Sequence, residues 1–284
     1  MTEPKRAKSD QGRPDRAGAG DRASTNQRTA LITGPTAGIG RGYAEALARR
    51  GYDLVLVARN TERLRQLADE LSGRYGTDNE VLSADLAADD PAPLATVERR
   101  LADPDRPIDL LVNNAGFGLR HGFLSNDVAD EQRLLNVLVR AVLRLSKAAA
   151  DPMVERGHGT IMNVSSVAGY AAYGTYGAAK SWVTAFSEAL FVELGRKGVR
   201  VVAICPGFVR TEFHDRASLR VEGATGLFWL NVDDVIRDSM AWLERGSRKP
   251  VLVPTRRYRF FTQLIRHAPR RLVIGSRMMR MRSR

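Results

Sequence analysis

Tyr176 and Lys180 stand four residues apart in the run Tyr176-Gly-Ala-Ala-Lys180, so on a helix they share one face and can act together. A phenol with an ordinary pKa of about 10 is a weak acid, and an ammonium one turn away would stabilise its phenolate and draw that value towards neutrality. Such a pair can exchange a proton with a carbonyl or alcohol oxygen. Ser166, just after an apolar run, carries a hydroxyl that could hold the same oxygen. Taken singly, a Tyr and a Lys at this spacing are most often surface residues, so the assignment depends on what else the chain brings beside them.

A second group could hold an anion. Thr33-Gly34-Pro35-Thr36-Ala37-Gly38-Ile39-Gly40 follows a short apolar run and opens a helical pattern through Ala44, Leu47 and Ala48. Glycines on a strand-to-helix turn let the backbone approach a pyrophosphate, and the free N–H groups of the helix start favour its charge. About 20 residues on, where a carboxylate commonly holds the adenosine ribose, the chain has Ala58-Arg59-Asn60. Arg59 offers a 2′-phosphate a charge-assisted contact that a carboxylate would refuse, so NADP(H) is preferred over NAD(H).

These residues need a scaffold, and the pattern supplies one. Short apolar runs fall at Thr29 to Thr33, Asp53 to Ala58, Glu80 to Ser83, Leu110 to Asn113, Gly159 to Val164, Arg200 to Cys205 and Pro250 to Val253. Between them, apolar residues recur at three and four over Ile39 to Arg50, Thr61 to Tyr75, Pro91 to Ala102, Glu131 to Glu155, Tyr176 to Arg196 and Val232 to Arg245. Strands alternating with helices of this length predict an α/β fold, a doubly wound, Rossmann-type, mostly parallel seven-stranded sheet covered on both faces. Asn113-Asn114-Ala115-Gly116, Ser165-Ser166 and Pro206-Gly207 all follow strand ends. Ligands bind outside the carboxyl ends of such strands, so the motifs converge on one crevice.

In these motifs and their order the chain resembles the short-chain dehydrogenases/reductases over residues 29 to 255. The resemblance implies an oxidoreductase passing hydride between a nicotinamide and a carbonyl or alcohol. Tyr176 would supply the proton, and Lys180 would bind the nicotinamide ribose and depress the Tyr pKa. Ser166 would polarise the substrate oxygen, while Asn136, in Leu134-Leu135-Asn136-Val137, would keep a water of the proton relay. Asp85 and Leu86 match the adenine contact; Pro206, Gly207, Val209 and Thr211 match the loop that holds the nicotinamide. Gly34, Thr36, Gly38, Ile39, Gly40, Arg59 and Asn113 to Gly116 complete the expected cofactor set. Only ten positions separate Ser166 from Tyr176, fewer than in many family members, which leaves Ser165 and Tyr173 as rivals. The long helices bearing Asn136 and Tyr176 imply a homo-oligomer. The alternative class is a non-catalytic NADP-binding sensor or scaffold.

Composition bounds the rest. The chain has 284 residues, 43% hydrophobic and 27% charged, ordinary for a globular protein. A single Cys205 excludes an internal disulfide and a cysteine-paired zinc site, and no metal is expected. No apolar run approaches a membrane span or a secretory signal, which points to the cytoplasm. Residues 1–28 are polar and are expected to be disordered. The net charge of +12 sits at one end: residues 245–284 hold 13 Arg and Lys and no Asp or Glu, leaving 31 basic against 32 acidic residues before them. Within the basic extension 256–284, Phe260, Phe261, Leu264, Ile265 and Ala268 share one helical stripe. Such an element can lie on an anionic membrane or dock on the body or on another subunit, with nucleic acid the least favoured partner. Phe208 to Leu230, rich in large apolar residues, lies where a substrate lid would sit; an apolar pocket for an acyl, lipid or other hydrophobic ketone explains them, and packing of the segment on its own body or on a partner subunit explains them equally.

Overall fold

The computed structural model describes residues 27–171, 173–210 and 229–267. The strands are β1 (Thr29–Thr33), β2 (Asp53–Ala58), β3 (Asn79–Ser83), β4 (Leu110–Asn113), β5 (Gly159–Val164), β6 (Val199–Ile204), β7 (Phe208–Val209), β8 (Trp229–Leu230) and β9 (Val251–Leu252). The helices are α1 (Gly38–Ala48), α2 (Thr61–Tyr75), α3 (Ala92–Leu101), α4 (Val128–Leu135), α5 (Val142–Arg156), α6 (Gly174–Gly195), α7 (Val232–Glu244) and α8 (Arg256–His267). Seven strands form one parallel sheet in the order β3-β2-β1-β4-β5-β6-β9, and β7 pairs with β8 in a small parallel ribbon. The order reverses between β1 and β4, and the crevice at such a switch point is where ligands sit.

Alternation along each strand divides the core in two. Ala30 and Ile32 of β1, with Leu54 and Leu56 of β2, face α1, α2 and α7. Leu31, Val55 and Val57 face the layer of α3, α5 and α6. Strands buried on both sides read as continuous apolar runs, which is why β1, β2, β4, β5 and β6 were visible in the sequence. The β7–β8 ribbon was not expected: each strand has two residues, too few to carry a pattern.

One predicted helix proved composite. The stretch expected over Glu131 to Glu155 begins at Val128, and its α-helical pitch is interrupted by a wider π turn over Asn136–Ala141. Such turns add a residue without breaking the apolar face and recur at functional sites. The expected helix from Tyr176 starts two residues earlier, at Gly174, whose φ of +51° suits glycine.

Beneath the crevice a polar chain crosses the sheet. Asn113 donates to Asn163 Oδ1 at 2.9 Å and to Ser146 Oγ at 3.2 Å, and Asn163 donates to Ser187 Oγ at 2.9 Å. All four residues are buried, and groups without access to water need these partners. Asn163→Ala should orphan the groups of Asn113 and Ser187 that face it and lower unfolding free energy by about 2–4 kcal/mol. Urea unfolding checks this, and an unchanged midpoint would show that the network carries no stability.

Candidate active site

The glycine turn is stapled to β4. The Thr33 hydroxyl accepts the N–H groups of Asn114 and Ala115 at 3.0 Å each, while Asn114 Nδ2 donates to the carbonyls of Thr33 (3.0 Å) and Gly34 (3.1 Å). Gly34 and Gly38 have φ of +68° and +55°, where a Cβ would be strained. A Cβ on Gly40 would lie 2.1 Å from the Gly34 carbonyl oxygen. The turn is thus closed by its own backbone, and α1 leaves it with Ala37 as an N-cap that offers no side-chain hydrogen bond and no acidic residue in the first turn. Uncapped N–H groups on a glycine cradle fit a pyrophosphate. Thr36 and Ile39 are half-buried beside it.

Arg59 lies exposed at the end of β2, and Asn60 caps α2 by accepting the Arg63 N–H at 2.9 Å. Asp85 accepts the Ala87 N–H at 3.0 Å and has Arg133 at 3.6 Å, with Leu86 buried beside it. The side chains of the Asn113 to Gly116 motif divide their work: Asn113 points into the buried network, Asn114 staples the turn, and Gly116 would place a Cβ 4.0 Å from Lys180 Nζ.

Lys180 is 5% exposed, and its Nζ donates to the Val164 carbonyl at 2.7 Å, at the carboxyl end of β5. Burial pulls its pKa down to about 8, against a smaller upward pull from Cys205. Tyr176, one turn earlier on α6, is raised above the ordinary phenol value by burial; a hydrogen bond with Ser166 works the other way and the nearby Tyr173 adds to the rise. The expected lowering by Lys180 is not what this geometry gives. Its Nζ lies 5.8 Å from the ring centroid and is held by Val164, so desolvation outweighs it.

The two serines part company. Ser165 is buried, donating to the Lys180 carbonyl at 2.7 Å with Thr184 Oγ1 at 2.8 Å, whereas Ser166 bonds to Tyr176 and accepts the Ala168 N–H at 3.1 Å. Tyr173 meets the Tyr176 ring edge-on, centroids 6.1 Å apart. The short connection works because it is pressed flat. A Cβ on Gly169 would lie 2.8 Å from Ser181 N, and one on Gly177 would lie 2.7 Å from Tyr173 Cβ. Nothing in one sequence marked these two glycines.

Asn136 is buried at the start of the π turn; its Nδ2 donates to the Ala87 carbonyl (3.1 Å) and Asp89 (3.0 Å), and its Oδ1 accepts from Gln132 (3.0 Å). Its side chain therefore anchors the segment after β3. Pro206 is buried, its carbonyl accepting the Val167 N–H at 3.0 Å, and Val209 is buried in β7. Thr211 and most of the expected lid lie outside the described residues, as do most of the leader and residues 268–284. Residues 256–267 form α8, seated on the body through Tyr258 and Thr262, with Phe260 and Leu264 facing outward. Among the described residues no cluster of His, Cys, Asp or Glu could hold a metal and no helix is long and apolar enough to cross a membrane.

A phenol, a serine hydroxyl bonded to it and a buried amine thus stand near the end of β5, with the glycine turn at the neighbouring switch point. Comparison with known proteins agrees. A family model described as short chain dehydrogenase matches residues 28–221. Oxidoreductase UcpA of Escherichia coli (strain K12) is 38% identical over 188 residues, 65% of this chain and 70% of that protein. Among solved structures, a short-chain dehydrogenase from Sphingobium yanoikuyae in complex with NADPH has a TM-score of 0.77 at 36% identity, covering 90% of this chain and 99% of the other. The bulky-bulky ketone specific alcohol dehydrogenase from Comamonas testosteroni has a TM-score of 0.73 at 33% identity, covering 87% and 99%. The chain belongs to the short-chain dehydrogenase/reductase family and is an oxidoreductase built to bind a nicotinamide dinucleotide.

Proposed function

We propose that the protein is an NADP(H)-dependent carbonyl reductase acting on a bulky, apolar ketone. The observation that carries this reading is the Ser166–Tyr176 hydrogen bond, with buried Lys180 one helical turn away. A bound nicotinamide dinucleotide supplies the hydride. The glycine turn at Gly34, Thr36, Gly38, Ile39 and Gly40 would hold its phosphates, and Asp85 and Leu86 its adenine. Asn114 to Gly116, Lys180 and the Pro206–Val209 segment, continuing to Thr211, would hold the nicotinamide half. Tyr176, raised above its ordinary value, keeps its proton at neutral pH and gives it to the substrate oxygen as charge develops there. Ser166 donates to the same oxygen, and the positive charge of Lys180 favours the phenolate left behind.

Arg59, exposed at the end of β2 where a carboxylate would exclude a 2′-phosphate, supports NADP(H). The NADPH-bound neighbour from Sphingobium supports it too. An apolar substrate is supported by the Phe208 and Trp229 rings, 6.0 Å apart on β7 and β8, and by the ketone preference named for the Comamonas neighbour. A homo-oligomer is supported by Leu143 on α5 and Val192 on α6, 44% and 62% exposed.

NADPH oxidation with a panel of ketones and aldehydes tests the function. Tyr176→Phe should lower kcat by about 10²- to 10⁴-fold, the usual range for a lost acid catalyst, while NADPH binding measured by fluorescence persists. Unchanged turnover would remove Tyr176 from the chemistry. Arg59→Asp should move the NADPH-to-NADH preference towards NADH by about tenfold or more, one lost charge-assisted contact plus a repulsion; an unaltered ratio would refute the phosphate assignment.

Lys180 also predicts a pH effect on stability. Its pKa is about 8 in the fold against 10.5 in a free chain, so between these values the unfolded state binds more protons and unfolding free energy rises with pH. Urea titrations of wild type and Lys180→Met from pH 7 to pH 10.5 should differ in slope, the wild type gaining stability that the variant does not gain. Parallel curves would contradict the burial.

A further inference from the structure

We propose that the C-terminal helix α8 is a working part of the active site and that Tyr258 is the positioning residue through which it acts, by clamping the Pro206–Val209 segment that borders the crevice. The inference rests on the reading of that segment as part of the dinucleotide site.

Tyr258 is 4% exposed, and its hydroxyl accepts the Phe208 N–H at 3.1 Å. Its ring lies so close to Gly207 that a Cβ there would come within 2.0 Å of Cζ and 2.1 Å of Cε1. Ring and hydroxyl together hold two successive residues, one by contact and one by direction. At its other end the helix places the Arg266 guanidinium 5.5 Å above the ring of Tyr170, a cation–π distance. Tyr170 belongs to the short 3-10 turn Val167–Tyr170, between Ser166 and Tyr176, and its hydroxyl lies 3.7 Å from the sulfur of Cys205, next to Pro206. The helix therefore touches both loops that frame the catalytic groups.

Entry into α8 is equally constrained. Thr255 has a φ of +66°, unusual for a β-branched residue, and its N–H is fixed by Asp238 of α7 at 2.8 Å. Strain of this kind persists where the surroundings over-determine it. A helix that only covered surface would need neither that turn nor a ring pressed on a glycine.

The test is a double-mutant cycle in the full-length protein with Gly207→Ala, Tyr258→Ala and the pair, alongside Tyr258→Phe. For each, the dissociation constant for NADPH, kcat, KM and the thermal midpoint are measured. Tyr258→Phe should lower kcat/KM or NADPH affinity by about fivefold, the net worth of one hydrogen bond. Gly207→Ala should cost about tenfold or more in the wild-type background and less than about twofold beside Tyr258→Ala, since its clash partner is gone. The inference is overturned if Tyr258→Phe and Tyr258→Ala alter only the thermal midpoint, or if Gly207→Ala costs the same in both backgrounds. Should Tyr258→Ala not fold, Tyr258→Phe decides alone: NADPH affinity and kcat/KM equal to wild type would overturn the clamp. Wild-type protein that binds neither NADPH nor NADH would overturn the functional reading and this inference with it, whereas an active enzyme indifferent to residue 258 would sink the inference only.

Discussion

An ammonium cut off from water needs a partner for its protons, and Lys180 finds one in the Val164 carbonyl, the last backbone acceptor of β5. That contact depends on much of the molecule. Strand β5 must end at that residue, α6 must begin close enough to bring residue 180 beneath it, and the connection between them must be flat, as Gly169 and Gly177 allow. The cost of holding a partly charged amine in the interior appears in its lowered pKa. Stability is given up to keep a titratable amine buried one helical turn from the Tyr176 phenol.

Around that centre the polar groups are arranged in two tiers. The lower tier is spent on structure: Asn113, Asn163, Ser146 and Ser187 satisfy one another across the sheet, and Ser165 with Thr184 closes against the Lys180 carbonyl. The upper tier, Ser166 and Tyr176, is half-buried, and its two hydroxyls are bonded to one another. Neighbouring serines in sequence thus sit in different tiers because successive residues after a strand point to opposite sides.

The parts of this arrangement that the sequence made legible are those with a period or a local motif. The central parallel strands announced themselves through runs such as Leu54 to Val57, buried on both faces, and the glycine turn through its place between strand and helix. The Tyr176–Lys180 pair was visible as a spacing. What stayed hidden was whatever depends on contacts between distant segments. The choice between Ser165 and Ser166, the inward turn of Asn113 and the seating of Tyr258 on Gly207 are tertiary facts with no local signature. The expected direction of the Tyr176 shift was wrong in this geometry because spacing placed an ammonium on the right face without revealing that Val164 holds it and that burial outweighs it. The basic stripe of α8 illustrates the same limit: periodicity identified an amphipathic helix, but the face that docks is led by Tyr258 and Thr262, while Phe260 and Leu264 point away.

The staple between Thr33 and Asn114 joins residues 81 apart in the chain. Local segments can fold as they emerge, but a pairing this remote must wait for an excluded-volume search over everything between. Strands β1 to β3 carry no partner for the Thr33 hydroxyl in this staple, so the glycine turn is secured only where β4 lies beside β1. Closure of the glycine turn and the pairing of β4 with β1 therefore rest on the same remote contacts.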